Sequence, residues 1–312
     1  MAFVNIPVKD EQALSYPLVD VGWLANRLND PGIVVLDASI PPNDPDGKRI
    51  PGARRFDLEK HFSDPDAALP HTMPSAAVFQ EGARRLGIND DDMVVVYDIT
   101  DIYSAARAWW MFRAMGHERV AVLDGGLRAW RAAEHEVMPI TEDKVSEGNF
   151  TARPRPGMIV DITHVDHLLA QIADDPQAAT TSVVDARSQE RFTGQAQEPR
   201  AGLRSGHMPG AGNLPYLAVQ SEGRMLSPAE LHTLVDQAAD KRGRMVMSCG
   251  SGVTACVVAL AARLAGYAEA DVAVYDGSWT EWGATDSGRE VVTGEAVPVA
   301  ERDSNGDEPA RG

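Results

Sequence analysis

The sequence predicts an α/β protein of two tandem domains, each an open, mainly parallel sheet flanked by helices on both faces. Three observations carry this expectation. At 312 residues the chain is long enough for two cores. Apolar strand-like runs alternate with helical patterns, the arrangement of parallel sheets covered on both faces. Five landmarks also recur in the same order in the two halves, a repeat that makes them copies of one plan.

In order, Val34-Val35-Leu36-Asp37-Ala38 is echoed by Ser182-Val183-Val184-Asp185-Ala186, each an apolar run of a buried strand ending at a loop. Ile50-Pro51-Gly52-Ala53 is echoed by Met208-Pro209-Gly210-Ala211. The strand Met93 to Asp98 is matched by Arg244 to Cys249, each followed by a short polar loop and a helix. Those helices are expected from Ser104 to Met115 and from Thr254 to Ala265, each stopped by a glycine, Gly116 or Gly266. Last, Val122-Leu123-Asp124-Gly125-Gly126 with Trp130 is echoed by Val274-Tyr275-Asp276-Gly277-Ser278 with Trp282. The Pro/Gly-rich stretch from Ser146 to Gly157 reads as a linker. The expected organisation is a first domain over 1–145, a linker over 146–160, a second domain over 161–299 and a polar, disordered tail over 300–312.

Composition narrows the partners. The chain is 44% apolar and carries a formal charge of −17. It shows no basic face for nucleic acid or an anionic membrane, and no apolar run long enough to cross a bilayer. The first twenty residues lack the pattern of an export signal, so the expected location is cytoplasmic. The two cysteines, Cys249 and Cys256, lie on one short segment, which is neither a disulfide framework nor a zinc motif.

The repeat exposes where the halves differ: the strand that ends in Asp98 in the first half ends in Cys249 in the second. Cys249 opens the loop Cys249-Gly250-Ser251-Gly252-Val253-Thr254 between strand and helix. Such a loop can turn several backbone N–H groups toward the sulfur, and the helix start adds positive potential; both favour a thiolate. Cys256, inside an Ala/Val/Leu run, reads as core packing. A phosphatase would need an arginine six positions after the nucleophile, where this chain has Ala255.

The paired halves, the segment Gly206-His207-Met208-Pro209-Gly210-Ala211, the Cys249 loop and Asp276-Gly277-Ser278-Trp279-Thr280-Glu281-Trp282-Gly283 together resemble the two-domain rhodanese family over nearly the whole chain. The resemblance implies two rhodanese-like domains and a sulfurtransferase that carries sulfur as a Cys249 persulfide, with no metal or organic cofactor. Within that family a basic loop after the cysteine goes with thiosulfate, and Cys-Gly-Ser-Gly-Val-Thr goes with 3-mercaptopyruvate. This chain has the second form. By the same resemblance Arg191 and Arg200 bind the donor's carboxylate and carbonyl, and Gly250, Gly252, Val253 and Thr254 line its site. The arginines lie where the second half is longer: Asp37 to Pro51 is 14 positions, Asp185 to Pro209 is 24. The resemblance also implies a proton relay of Glu59, His71 and Ser251. Trp279, Trp282 and His207 read as packing and turn residues. The expected partners are a small-molecule sulfur donor and a thiol acceptor such as thioredoxin, with cyanide as the test-tube acceptor. Two alternatives stay open, a thiosulfate:cyanide sulfurtransferase and a non-catalytic persulfide carrier.

Overall fold

In the computed structural model the described residues are 16–40, 47–99, 101–140 and 145–295; the expected tail over 300–312 lies outside them. The first half runs β1 (Leu18–Val19), α1 (Val21–Ala25), β2 (Ile33–Asp37), β3 (Lys48–Arg49), β4 (Arg54–Arg55), α2 (Ala76–Arg85), β5 (Met93–Tyr97), α3 (Ser104–Ala114), β6 (Val120–Leu123), α4 (Gly126–Ala132) and β7 (Met138–Pro139). The second runs β8 (Ile159–Val160), α5 (Ile162–Asp174), β9 (Thr181–Asp185), α6 (Gln189–Phe192), β10 (Gly212–Asn213), β11 (Gln220–Ser221), β12 (Arg224–Met225), α7 (Pro228–Ala238), β13 (Arg244–Ser248), α8 (Ala255–Leu264), β14 (Val272–Tyr275) and α9 (Ser278–Trp282).

Each half holds a five-stranded sheet, ordered β1-β6-β5-β2-β4 in the first and β8-β14-β13-β9-β10 in the second. Every pairing within both is parallel. The two orders are the same, so the repeated landmarks fold into repeated topology. The central strands β5 and β13 are buried apart from the exposed Arg244 that opens β13, which is why their sequences are apolar runs without alternation. Helix starts follow local chemistry. Asp20, Ser75 and Asp161 cap α1, α2 and α5, and α7 opens with Pro228 and a Ser227–Glu230 capping box. No helix among the described residues is long and apolar enough to cross a membrane.

Helices α3 and α8, which follow the matched loops, are buried almost along their whole length and pack against one another. Trp109, Trp110 and Met111 of α3 therefore share one hydrophobic cluster with Val257, Leu260 and Leu264 of α8. That contact carries the start of α3 to the loop that begins at Cys249. A second clasp comes from the β11–β12 hairpin. Gln220 exchanges hydrogen bonds with both backbone groups of Ile102 (3.0 Å each), and Asp124 accepts the Met225 N–H at 3.0 Å.

Residues 146–157 contain neither helix nor strand and lie along the first half. Gly148 N donates to Arg84 O (2.9 Å) and Phe150 N to Ile88 O (3.0 Å), with the Phe150 ring set among Phe79 and Phe112. A Cβ at Gly148 would fall 2.0 Å from Ile88 O. Gly148→Ala is therefore expected to destabilise the protein by about 1–3 kcal/mol through overpacking against backbone, measured as a lower urea midpoint; an unchanged midpoint would show that this segment is free to lift away.

Candidate active site

The loop after β13 is held open by the segment that follows β14. The Ser278 hydroxyl donates to Tyr275 O at 2.8 Å and accepts the N–H groups of Cys249 and Gly252, both at 3.1 Å. Trp279 N donates to Cys249 O (2.9 Å), and Thr280 donates to Gly250 O from both its N–H (2.8 Å) and its hydroxyl (2.5 Å). Gly252 has φ +75°, and a Cβ there would lie 2.8 Å from Asp276 O, so only glycine fits this turn.

Cys249 is only 1% exposed and sits at the base of this loop. Two of the amides expected to face its sulfur are instead taken by Ser278, and among the described residues no amide reaches Sγ. The N–H groups of Gly250, Ser251, Val253 and Thr254 have no protein acceptor among the described residues. Val253 and Thr254 are themselves buried, so their N–H groups are withdrawn from bulk solvent as well as lacking a protein acceptor among the described residues.

The first half shows the same loop satisfied from within. Asp98, fully desolvated, accepts Tyr103 N (2.8 Å), Ala105 N (2.8 Å) and the Ser104 hydroxyl (2.5 Å). Burial pushes its carboxyl up to about 6 against these three donors.

The two arginines of the longer second-half segment come to the open face of Gly250. A Cβ at Gly250 would lie 3.3 Å from Arg191 Nη2 and 3.9 Å from Arg200 Nη1. Arg191 is paired with Glu198 through Nε (3.1 Å) and Nη2 (2.5 Å). Arg200 is exposed and has no carboxylate partner among the described residues. Arg187 belongs to the scaffold: it is buried against Asp185 and Glu198, and its guanidinium lies 4.0 Å from the Trp279 ring centroid. Trp279 and Trp282 are packed, and the buried His207 ring stacks on Phe192 at 3.7 Å.

The first half brings His71, Tyr103 and Arg107. His71 Nδ1 lies 3.1 Å from Ser251 Oγ, so two members of the expected relay meet. The ring's pKa is lowered to about 4 by burial, then by the positive charges of Arg200 and Arg107, with Asp276 and Ser251 opposing. Tyr103 meets Tyr216 edge to face at 5.7 Å, and burial, with Cys249 nearby, pushes its phenol above the ordinary value. Glu59 does not join. Asp57 caps its turn by accepting Glu59 N and Lys60 N, while Leu58 and Phe62 turn inward. This leaves Glu59 exposed, with no side-chain hydrogen bond or ion pair among the described residues. The carboxylate beside His71 is Asp276, which the sequence placed only in a packing segment.

Cys256 is fully buried, its thiol donates to Gly252 O at 3.3 Å, and burial pushes it up to about 12, in keeping with a packing role.

Arginines around a buried thiol beneath open amides suit attack on an anionic sulfur compound. Comparison with known proteins agrees. Residues 20–133 and 165–285 each match the rhodanese-like domain. The Arabidopsis thaliana protein named thiosulfate/3-mercaptopyruvate sulfurtransferase 1, mitochondrial, is 39% identical over 292 residues, covering 86% of this chain and 76% of its own. The 3-mercaptopyruvate sulfurtransferase of Escherichia coli K12 is 39% identical over 278 residues, covering 85% and 94%. The crystal structure of SseA from Escherichia coli superposes with a TM-score of 0.71 at 34% identity, covering 84% of this chain and 98% of that one. On the paired domains and these relatives, the chain belongs to the rhodanese-like family and is a sulfurtransferase.

Proposed function

We propose that this enzyme takes sulfur from 3-mercaptopyruvate onto Cys249 as a persulfide, releases pyruvate, and passes the sulfur to a thiol such as that of thioredoxin, or to cyanide in the test tube. The observation that carries the donor assignment is the pairing of two functions at one thiol: guanidinium groups for a carboxylate at Gly250, and a His71–Ser251 contact for a proton.

The steps balance. The Cys249 thiolate attacks the donor's thiol sulfur, an S–S bond forms, and the C–S bond breaks with its electron pair left on C3 as the enolate of pyruvate. The proton of the donor thiol moves to C3, so a persulfide anion and pyruvate result. His71, neutral in the protein, is suited to carry that proton through Ser251. Arg200, whose charge no carboxylate claims among the described residues, is suited to hold the donor's carboxylate, while Arg191, steadied by Glu198, is suited to the carbonyl oxygen. The open amides at 250, 251, 253 and 254 are donors for the anionic outer sulfur. No metal or organic cofactor takes part, and a reducing, cytoplasmic setting suits both Cys249 and the acceptor thiol.

Thiosulfate is the rival donor, because a guanidinium fork also fits its sulfonate and the name of the Arabidopsis relative carries both donors. Losing sulfite requires no proton on carbon, so that reaction has no need of His71. The loop after Cys249 contains no Arg or Lys, which favours the donor whose charge lies away from the sulfur.

Cys249→Ser is expected to abolish transfer, and mass spectrometry of the donor-treated protein should find one added sulfur on Cys249; sulfur on Cys256 instead would overturn the assignment. Arg200→Ala should raise KM for 3-mercaptopyruvate by roughly tenfold or more, the loss of a charge-assisted carboxylate contact, and leave thiosulfate less affected. Equal loss with both donors would remove the carboxylate clamp. In an NMR titration the His71 imidazole should stay neutral down to about pH 4. The unfolded chain takes this proton near 6.5, so His71 makes the fold less stable as pH falls from there toward about 4. A midpoint near 6.5 in the native protein would contradict the buried, neutral ring.

A further inference from the structure

We propose that Arg107 and Asp276, one from each half, are a positioning pair that pins the His71 segment over the Cys249 loop and thereby sets the proton relay. Arg107 lies on α3 with its side chain wholly buried, and the hydrogen bonds of its two terminal nitrogens reach the residues around Cys249. Nη2 donates to Asp276 Oδ1 at 2.6 Å and to His71 O at 2.9 Å, and Nη1 donates to Gly252 O at 3.4 Å. The other oxygen of Asp276 accepts Met73 N at 2.7 Å. One ion pair therefore holds the backbone on both sides of Thr72 and touches the loop glycine that allows the turn after Ser251.

The His71 segment needs such a hold. His71 has φ +60°, a left-handed conformation that a residue with a Cβ seldom adopts unless its surroundings impose it. Among the described residues its own side chain makes one hydrogen-bond contact, to Ser251 Oγ. The planar fork of Arg107 can serve three acceptors in fixed directions, which a lysine ammonium in the same space cannot. The pair does not touch the open face of Gly250, where the donor's arginines lie, so it acts through His71 and Gly252 and not on the donor.

This assignment rests on the relay proposed above, and Asp276→Asn separates the possibilities. The charged groups around the His71 ring are Arg200, Arg107 and Asp276. Were Asp276 only a neighbouring charge, neutralising it would make the imidazole still harder to protonate and drive its midpoint below about 4. As a tether, its asparagine replacement turns one acceptor into a donor facing Met73 N–H or Arg107. The segment then relaxes toward water, and the midpoint rises toward the ordinary 6.5.

The expected result is this upward shift, read by NMR against a His71→Gln spectrum for assignment. With 3-mercaptopyruvate, kcat should fall by at least about tenfold, the scale of a lost acid–base group, with KM held within about twofold. Loading of Cys249 with sulfur from thiosulfate should persist, which reports an intact loop. Arg107→Lys, which keeps the charge and loses the fork, should shift the midpoint and kcat in the same direction to a smaller extent. A midpoint that falls or stays, or a loss of activity equal for both donors in Arg107→Lys as well as Asp276→Asn, would overturn the positioning role. Should the unmodified enzyme fail to turn over 3-mercaptopyruvate, the donor assignment fails while the His71 midpoints still decide the role of the pair.

Discussion

A loop that offers unpaired backbone amides to a ligand cannot use those amides to hold its own shape. This constraint organises the site. Buried N–H groups without partners are costly, so the loop after Cys249 is braced through its other groups. Ser278 gathers two of its amides, Trp279 and Thr280 bind two of its carbonyls, and Arg107 takes a third. The bracing groups come from α9 and from α3 of the opposite half, so the shape of the loop depends on both domains being packed together.

The repeat supplies an internal comparison. In Asp98 the carboxylate oxygens stand three bonds from Cα, the same count as the outer sulfur of a Cys249 persulfide. The first half satisfies its loop with that fixed carboxylate and two backbone N–H groups. In the second half the N–H groups of Gly250, Ser251, Val253 and Thr254 have no protein acceptor among the described residues. The same backbone plan thus ends its matched strand in a carboxylate held by its own loop in one half and in a cysteine in the other. A filled loop also fixes Tyr103, whose N–H is one of the donors to Asp98 and whose ring faces the second-half site beside Tyr216.

The sheets, the matched loops and the helices α3 and α8 were legible in the sequence because each rests on local pattern: apolar runs, two glycine stops, and a cysteine where its counterpart is Asp98. Arg191 and Arg200 were reachable because the second half is longer between Asp185 and Pro209. Arg107 and Asp276 were not, since their signal lies in a pairing across halves: a single charge in the otherwise apolar run Ser104-Ala105-Ala106-Arg107-Ala108-Trp109-Trp110 gives no hint of its partner. Glu59 fails for the converse reason. The resemblance fixed its place in the chain, but Asp57 accepts both Glu59 N and Lys60 N and so decides which way that turn faces.

Net charge and local charge also part company. A protein at −17 repels an anionic donor at long range, where salt screens the interaction beyond about 8–10 Å. Within that distance the site inverts the sign by dividing its arginines among tasks. Arg187 and Arg191 are bound to Glu198 and Asp185, so they shape the wall at little net charge. Arg107 is neutralised by Asp276. Arg200 alone among these four has no carboxylate partner within the described residues, so its charge is the one a small anion meets first. The others determine where that anion's remaining atoms come to rest.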